Sequence, residues 1–461
     1  MVDAASDGEN RKKSPPILRF TARSPAAVIC QRLDEAKSIP RNEPVTLVFL
    51  SVQFDMAILS SILQLFRARN APKSWKALTI KPRSTTQWPL IAEQLLQPLN
   101  DSILNAKDRT NVSVIERISF YSKLPPIVFQ WIGAQSIARS IWITASDMDR
   151  EDIASLFPSA DDDATSSNSG QRKRRSTKEH QYLSDNNVIW EVLRIVNGSF
   201  CDSGGFRWFV RGVKRKGLKK LELERCNLQD DELAYLFHHN SEVKEQAGFN
   251  LLHIGVGINF VQERTIRAIS DLLVQPDCKI QILDISRPES WDDRHYLTYL
   301  FRALATSTSM ETLDISSNFL RDLHILGGLF AALRQNSKLQ ILNLGGNNLQ
   351  EEAIEELGKA LPTFPGLKRL RLTNNEVSER SIQHLINGMK QNDTLEGLIL
   401  DQPSPKIEYW CMLNRYGRKF CRPNALPVSL WPHVLARPNG KDDQINVLYH
   451  FLRHGPVLSS R

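Results

Sequence analysis

An apolar pattern of the form L-x-x-L-x-L returns seven times in the second half of this chain, at intervals of 28 to 31 residues. The clearest copies read METLDISSNFL, LQILNLGGNNL and LKRLRLTNNEV. A fixed period of this length indicates supersecondary units that stack on one another, because one such unit cannot bury its own apolar face. The first apolar positions are Leu218, Phe249, Ile280, Met310, Leu339, Leu367 and Leu395.

Each copy has room for a short strand, a turn and a helix. Leu342 and Leu344 alternate with Ile341 and Asn343, which is the period of two expected of a strand. The following GGNN favours a turn. The segment QEEAIEELGKAL then places apolar residues on one helical face and acidic residues on the other. We therefore predict one strand and one helix per copy.

These copies resemble the leucine-rich repeat superfamily, and within it the ribonuclease-inhibitor-like class, over residues 218–402. The resemblance implies an α/β solenoid, a horseshoe with parallel β-strands on the concave face and helices on the convex face. It also implies buried asparagines that bond the backbone of neighbouring copies. The asparagines in this position are Asn227, Asn318, Asn347 and Asn375. The copy FNLLHIGVGINF has Asn259 displaced and IQILDISRPESW has no asparagine, so we expect an interrupted ladder there.

Residues 25–217 show the same apolar spacing at uneven steps, in VTLVFL, WKALTI, IERISF, ARSIWI and WEVLRI. We interpret them as degenerate repeats; a separate α/β cap domain is the alternative. Residues 158–187 are a polar insertion with charges in blocks, and we predict disorder there and in the polar lead 1–24.

Residues 403–461 are not a repeat. A stacked array exposes an apolar end that an atypical terminal segment normally covers, so we expect a cap; a binding role remains open. The amino-acid sequence of this tail resembles C-terminal extensions of uncharacterised leucine-rich repeat proteins of algae such as diatoms, and this resemblance implies no activity.

Charge is distributed unevenly along the chain. Residues 218–402 hold 19 Lys and Arg against 26 Asp and Glu, whereas residues 403–461 hold 9 against 3. The net charge of the whole chain is +8, so residues 1–217 are basic as well. An acidic repeat block of this kind could attract a basic partner.

The sequence indicates neither a catalytic nor a cofactor site. The segment GVKRKGLK lacks the lysine position of a phosphate loop, and no H-E-x-x-H or G-x-S-x-G occurs. The segment RWFVRGVKRKGLKK mixes aromatic and basic residues, but its spacing suits a helix with Phe209 and Val213 inward. We therefore expect no enzyme, cofactor, metal or membrane partner, and we do not expect nucleic acid.

The absence of an apolar run of 18 residues or a signal core predicts a cytoplasmic protein, and the scattered cysteines agree. Nuclear import through RKRR at residues 172–175 is the alternative.

In the resembled fold, outward strand residues form columns across the copies. We therefore predict a non-catalytic protein-binding scaffold; regulation of a small GTPase, or a stand-alone immune-type sensor, is the alternative. The predicted contact residues are Glu222, Asp284, Ser286, Asp314, Ser316, Asn343, Arg369, Arg371 and Thr373.

Overall fold

A computed structural model describes residues 16–40, 43–68, 75–104, 115–135, 137–157, 190–200, 203–238, 250–289, 294–422, 426–438 and 444–455. The chain divides into two compact units, unit 1 (Met1–Leu218) and unit 2 (Lys219–Arg461). The predicted insertion at residues 158–187 lies outside the described residues.

Unit 1 contains a parallel sheet whose strands follow the order of the chain. Its strands are β1 (Ile17–Thr21), β2 (Val45–Val52), β3 (Trp75–Pro82), β4 (Ile115–Tyr121), β5 (Ala138–Thr144) and β7 (Val192–Val196); β6 (Asp147–Met148) and β8 (Ser199–Phe200) form a separate pair. The helices are α1 (Ala26–Glu35), α2 (Met56–Ala68), α3 (Trp88–Ile91), α4 (Gln97–Leu104), α5 (Pro126–Ala134), α6 (Arg150–Leu156) and α7 (Ser203–Lys216).

All five predicted apolar segments of unit 1 are strands, β2 to β5 and β7. Several of these strands end in the same turn as the strands of unit 2. Ser122, Ala145 and Asn197 have positive φ, and the N–H groups of Ser122 and Ala145 donate to the last residue of the next strand. In unit 2, Arg287 and Ser317 also have positive φ and donate to the residue two positions beyond the end of the next strand. The family to which unit 1 belongs stays a prediction, but its strand-and-turn geometry repeats.

The predicted disorder of residues 1–24 is wrong for Ile17–Thr21, which form β1. The physical reason is Phe20, which is buried and stacks on Phe49 with ring centroids 5.1 Å apart. Residues 17–21 thereby pair in register with β2. A short segment with one inward aromatic can complete a sheet edge although the lead in which it lies is polar as a whole.

Unit 2 contains one strand and one helix per copy, as predicted, and all of its strands pair in parallel with their sequence neighbours. The strands are β9 (Lys220–Glu224), β10 (His253–Gly255), β11 (Ile282–Asp284), β12 (Thr312–Asp314), β13 (Ile341–Asn343), β14 (Arg369–Arg371) and β15 (Gly397–Ile399). The helices are α8 (Asp230–Phe237), α9 (Glu263–Leu273), α10 (Leu297–Thr306), α11 (Leu323–Gln335), α12 (Glu351–Ala360) and α13 (Glu379–Gln391), followed by α14 (Pro405–Tyr416), α15 (Trp431–Leu435) and α16 (Gln444–His454).

The middle residue of each short strand faces the helices. Leu283, Leu313, Leu342 and Leu370 are fully buried at this position. Burial of one leucine contributes roughly 1.5–3 kcal/mol, so each copy gains a similar stabilising contribution at this position. The residues on either side point away from the helices and form the open face of the sheet.

A ladder of asparagine amides connects the turns of unit 2. Asn347 donates through Nδ2 to the carbonyl oxygens of Ile315 and Leu344, both at 3.0 Å, and its Oδ1 accepts the Asn318 N–H at 2.7 Å. Asn375 Oδ1 in turn accepts the Asn347 N–H at 3.1 Å. The predicted roles of Asn318, Asn347 and Asn375 agree with this geometry, since the backbone groups they bond would otherwise lack partners.

The prediction for Asn227 is wrong. Cys226 takes the inward position of that copy, and its N–H donates to Asn259 Oδ1 at 2.9 Å. Asn227 is exposed and has a φ of 55°, a left-handed conformation that asparagine tolerates. In the same ladder Pro288 occupies the position without asparagine, so the expected interruption lies there.

Asn259 is not displaced, contrary to our expectation. It is fully buried and its Nδ2 donates to the Leu223 carbonyl at 2.8 Å. The first apolar position of that copy is the buried Leu251; Phe249, which the pattern selected, lies outside the described residues. From Leu251, the spacing to Ile254, Val256 and Asn259 matches the other copies.

The tail begins as a cap on the last repeat. Asn414 of α14 donates through Nδ2 to the Asn392 and Leu395 carbonyls at 3.1 and 2.8 Å. Arg418 donates to the Met389 carbonyl at 3.0 Å. The remaining helices of the tail form a small core with α14 around Met412, Leu413, Trp431, Val434, Val447 and Phe451. The polar groups at the end of α13 are therefore covered.

Candidate functional site

The open face of unit 2 presents three columns of side chains. In the central column Glu222 faces Gly255, which faces Asp284, and Asp284 faces Asp314. The column continues with Asn343 and Arg371. All nine predicted contact residues lie on this face; their role in binding stays a prediction. They are Glu222, Asp284, Ser286, Asp314, Ser316, Asn343, Arg369, Arg371 and Thr373.

The carboxylates of the acidic half are held by short side chains. Asp314 Oδ1 accepts from the Ser316 N–H at 2.9 Å and the Ser316 hydroxyl at 2.7 Å, and Oδ2 accepts from Asn343 Nδ2 at 2.7 Å. Asp284 Oδ1 accepts from the Ser286 N–H at 2.9 Å. These bonds fix the carboxylates without neutralising them, because hydroxyl and amide donors carry no net charge.

Asp284 lies between the other two carboxylates of this column. Burial raises its pKa, and the negative charges of Asp314 and Glu222 add to the increase, while the hydrogen bonds from Ser286 oppose it. A positively charged group placed beside Asp284 would relieve the repulsion among the three acids. A cationic group is therefore electrostatically favoured beside this half of the face.

Glu222 lies between Lys220 and His253. Its Oε1 is 2.8 Å from Lys220 Nζ and 3.4 Å from His253 Nε2. Burial, together with the charge of Lys220, lowers the pKa of His253 to about 4 despite Glu222. The imidazole is therefore neutral at pH 7, and its contact with Glu222 is not an ion pair.

Two glycines open the face between β9 and β11. Gly255 takes the position that Glu222 and Asp284 occupy on the neighbouring strands, and a Cβ at Gly257 would lie 3.0 Å from Ser286 Oγ. A partner can approach the backbone here, between Glu222 and Asp284. The two glycines were missed from the sequence because the copy was aligned on Phe249. Alignment on Asn259 would have found them.

The basic half of the face begins two strands beyond Asp314. Arg371 Nε donates to Thr373 Oγ1 at 2.9 Å, and Arg369 stands exposed beside it. Glu222 and Arg371 are five strands apart, which corresponds to about 24 Å. The face is therefore acidic at one end and basic at the other.

The described residues contain no cluster of three or more His, Cys, Asp or Glu side chains placed to hold a metal ion. Within those same residues, no helix is long and apolar enough to cross a membrane.

In a comparison with known proteins, residues 208–402 match the model of the MHP1/HER1/GIP3 LRR domain family. The stacked strand-and-helix copies with their asparagine ladder agree with that match. The chain is a leucine-rich repeat protein. The resemblance in the sequence and the α/β solenoid it implied are thereby confirmed for the repeat block, and repeats of this type commonly bind proteins.

Two mouse proteins match part of this leucine-rich repeat protein. NACHT, LRR and PYD domains-containing protein 9C from Mus musculus is 25% identical over 179 residues, which are 37% of this chain and 16% of that protein. Protein 9B is 29% identical over 168 residues, 35% of this chain and 15% of that protein. The match thus spans about a sixth of the length of these relatives.

Two solved structures match this chain at low identity and with low TM-scores. The leucine-rich repeat-containing protein LegL7 from Legionella pneumophila gives a TM-score of 0.37 at 14% identity, covering 85% of this chain and 96% of that one. The tropomodulin C-terminal domain from Caenorhabditis elegans gives 0.30 at 14% identity, covering 33% and 95%.

Proposed function

We propose that the protein is a non-catalytic scaffold that binds a protein partner on the open face of unit 2. The observation that carries this proposal is the division of charge along one continuous face. Glu222, Asp284 and Asp314 lie in one aligned column, and Arg369 and Arg371 follow two strands later. Side chains between them are short, so a partner can contact both ends.

The partner that fits carries basic side chains over β9 to β12 and acidic side chains over β14. A basic side chain of the partner placed beside Asp284 would replace repulsion between carboxylates by attraction. Asp284 gains from this pairing because burial and the charge of Asp314 already raise its pKa. Electrostatic complementarity of this kind determines orientation and association rate more than total affinity. The separation of acidic and basic side chains along the open face thus predicts that the partner binds in one orientation.

The test is charge reversal with a matched control. The double variant Asp284→Lys with Asp314→Lys is compared with Glu352→Lys with Glu356→Lys, which makes the same charge change on exposed positions of α12. Partners recovered from the native organism by affinity purification should be lost with the first variant and kept with the second. Retention of every partner by the Asp284 and Asp314 variant would place the binding site elsewhere, with the tail as the next region to examine.

A stand-alone immune-type sensor is a second candidate, because the two mouse relatives combine leucine-rich repeats with NACHT and PYD domains. A sensor binds its ligand conditionally. Recovery of a partner on the same open face only from challenged cells would favour this candidate, whereas equal recovery from unchallenged cells would favour the scaffold.

We also propose a cytoplasmic location, with nuclear import through residues 172–175 as the alternative. A fluorescent fusion of the full chain, compared with one that has these four basic residues replaced by glutamine, separates the two. Nuclear signal that depends on residues 172–175 would support import.

A further inference from the structure

The sheet of unit 1 has an open face of its own, and its charge is of one sign. The outward residues alternate with buried ones such as Ile118, Ile141 and Leu193. The outward positions of the six strands include four cations and no carboxylate. These outward residues are Ile17, Arg19, Thr21, Thr46, Val48, Leu50, Ala77, Thr79, Lys81, Arg117, Ser119, Tyr121, Ser140, Trp142, Thr144, Val192, Arg194 and Val196.

Two of the cations converge on one aromatic ring. The Arg117 guanidinium lies 4.2 Å and that of Arg194 4.8 Å from the centroid of the Trp142 ring. Trp142 is on β5, between β4 with Arg117 and β7 with Arg194. Its indole N–H donates to Ser140 Oγ at 2.9 Å, which fixes the ring. The register of three parallel strands thus builds a cluster of arginine, tryptophan and arginine.

Arg117 is held by stacking rather than by an acid. Its Nε is buried and donates no hydrogen bond to any described residue. It also forms no ion pair within the described part of the chain. A guanidinium stacked on an aromatic face keeps its in-plane N–H groups for a planar acceptor such as a carboxylate or a phosphate. Trp142 therefore orients a donor whose acceptor does not come from this sheet face.

We propose that Arg117, Trp142 and Arg194 form a binding site for an oxyanion of a second protein segment, carried by an acidic or a phosphorylated side chain. The two arginines are two strands apart, about 9.6 Å, so both can contact one oxyanion group or two adjacent ones. Charge-assisted bonds from arginine to carboxylate or phosphate are about twice as strong as neutral ones. None of the outward residues of the six described strands is a carboxylate, so none of them competes with a ligand for the Arg117 guanidinium.

The same geometry disfavours nucleic acid. Base recognition needs an open aromatic ring on which a base can stack. Two guanidiniums already lie against the Trp142 ring. Arg19 and Lys81 stand on β1 and β3, so they do not extend the pair of arginines into a continuous track along one strand. An isolated oxyanion on a peptide suits the site better than a polyanionic backbone.

The test uses the full chain and two probe peptides of equal charge, hexaglutamate and a glycine-spaced peptide with three phosphoserines. Binding is measured by calorimetry for the wild type, Arg117→Gln and Arg19→Gln. Arg117→Gln removes the charge but keeps a polar stem, and we expect about a tenfold loss of affinity. Arg19→Gln makes the same charge change on the same face about 19 Å from Trp142, well beyond the Debye length, so we expect less than a twofold change.

The outcomes separate the proposal from its competitors. A tenfold loss confined to Arg117→Gln supports it, and the tighter of the two peptides identifies the oxyanion. Equal losses in both variants would mean non-specific attraction and would overturn the proposal. So would no binding of either peptide by the wild type, or tighter binding of a thymidine oligonucleotide of equal charge. Thermal melting shows whether each variant is folded, and Arg117→Lys, which keeps charge but loses the planar fork, should recover only part of the affinity.

Discussion

Replacement of Asn347 by alanine should lower the free energy of unfolding by about 3 kcal/mol or more. The substitution removes the partners of three buried backbone groups: the carbonyls of Ile315 and Leu344 and the N–H of Asn318. A buried group left without a partner costs roughly 1–3 kcal/mol, and relaxation or entry of water recovers part of the sum. We therefore expect the lower end of the summed cost, about 3 kcal/mol.

Asn227→Gly is the matched control. The sequence pattern gave both asparagines the same role, but Asn227 is exposed and glycine tolerates its φ of 55°. We expect a change within about 0.5 kcal/mol, which is typical of surface substitutions. Both variants remove an asparagine, but only the Asn347 side chain is buried and hydrogen-bonded to the backbone of neighbouring copies.

Thermal melting followed by circular dichroism measures the difference. Unit 2 has a size for which 1 kcal/mol shifts the melting temperature by about 2–4 °C, so Asn347→Ala should melt roughly 6–12 °C below the wild type. Asn227→Gly should stay within about 2 °C. If Asn227→Gly melts as low as Asn347→Ala, the ladder as described here is refuted.

Three further results are expected. Gly388→Ala should destabilise by about 1–3 kcal/mol, since a Cβ would lie 2.2 Å from the Gly358 carbonyl, whereas Gly327→Ala, with no atom within 4 Å, should stabilise by about 0.5–1 kcal/mol in thermal melts. Asp284→Asn should raise the melting temperature at pH 7. The folded-state pKa of Asp284 is raised, so the wild type loses stability as pH rises through that pKa, and a neutral amide avoids this loss. The increase in melting temperature should therefore shrink towards pH 4, where the carboxyl is protonated. Asn414→Ala should lower the melting temperature, because two carbonyls at the cap lose their donor.

The strands and helices of unit 2 could be predicted because each copy repeats a buried leucine at the middle of a strand. The register of one copy could not. The segment FNLLHIGV offers apolar residues at Phe249, Leu251 and Leu252, and hydrophobicity alone does not distinguish them. The structure selects Leu251 because Asn259 must reach the Leu223 carbonyl.

Neighbouring residues in one turn can exchange roles for a similar reason. Cys226 and Asn227 are adjacent, and the sequence pattern favours asparagine for the ladder. The strand geometry instead directs Cys226 inward, and Asn227 adopts the left-handed conformation that the turn requires. An asparagine in the turn therefore indicates a ladder residue at Asn347 but not at Asn227. Two different positions of the turn favour asparagine, the buried ladder position and the left-handed position next to it.

The net charge of the whole chain does not show the sign of the charge on each sheet face. The chain has a net charge of +8, which by itself indicates acidic partners. On the open face of unit 2, however, the register aligns Glu222, Asp284 and Asp314 in one column. Parallel strands lie about 4.8 Å apart, within the Debye length, so charges in one column act together, whereas charges elsewhere are screened. Unit 1 aligns Arg117 and Arg194 around Trp142 by the same register. We therefore expect the chemistry of a partner to follow from the outward column of each sheet, since a basic chain can present an acidic face.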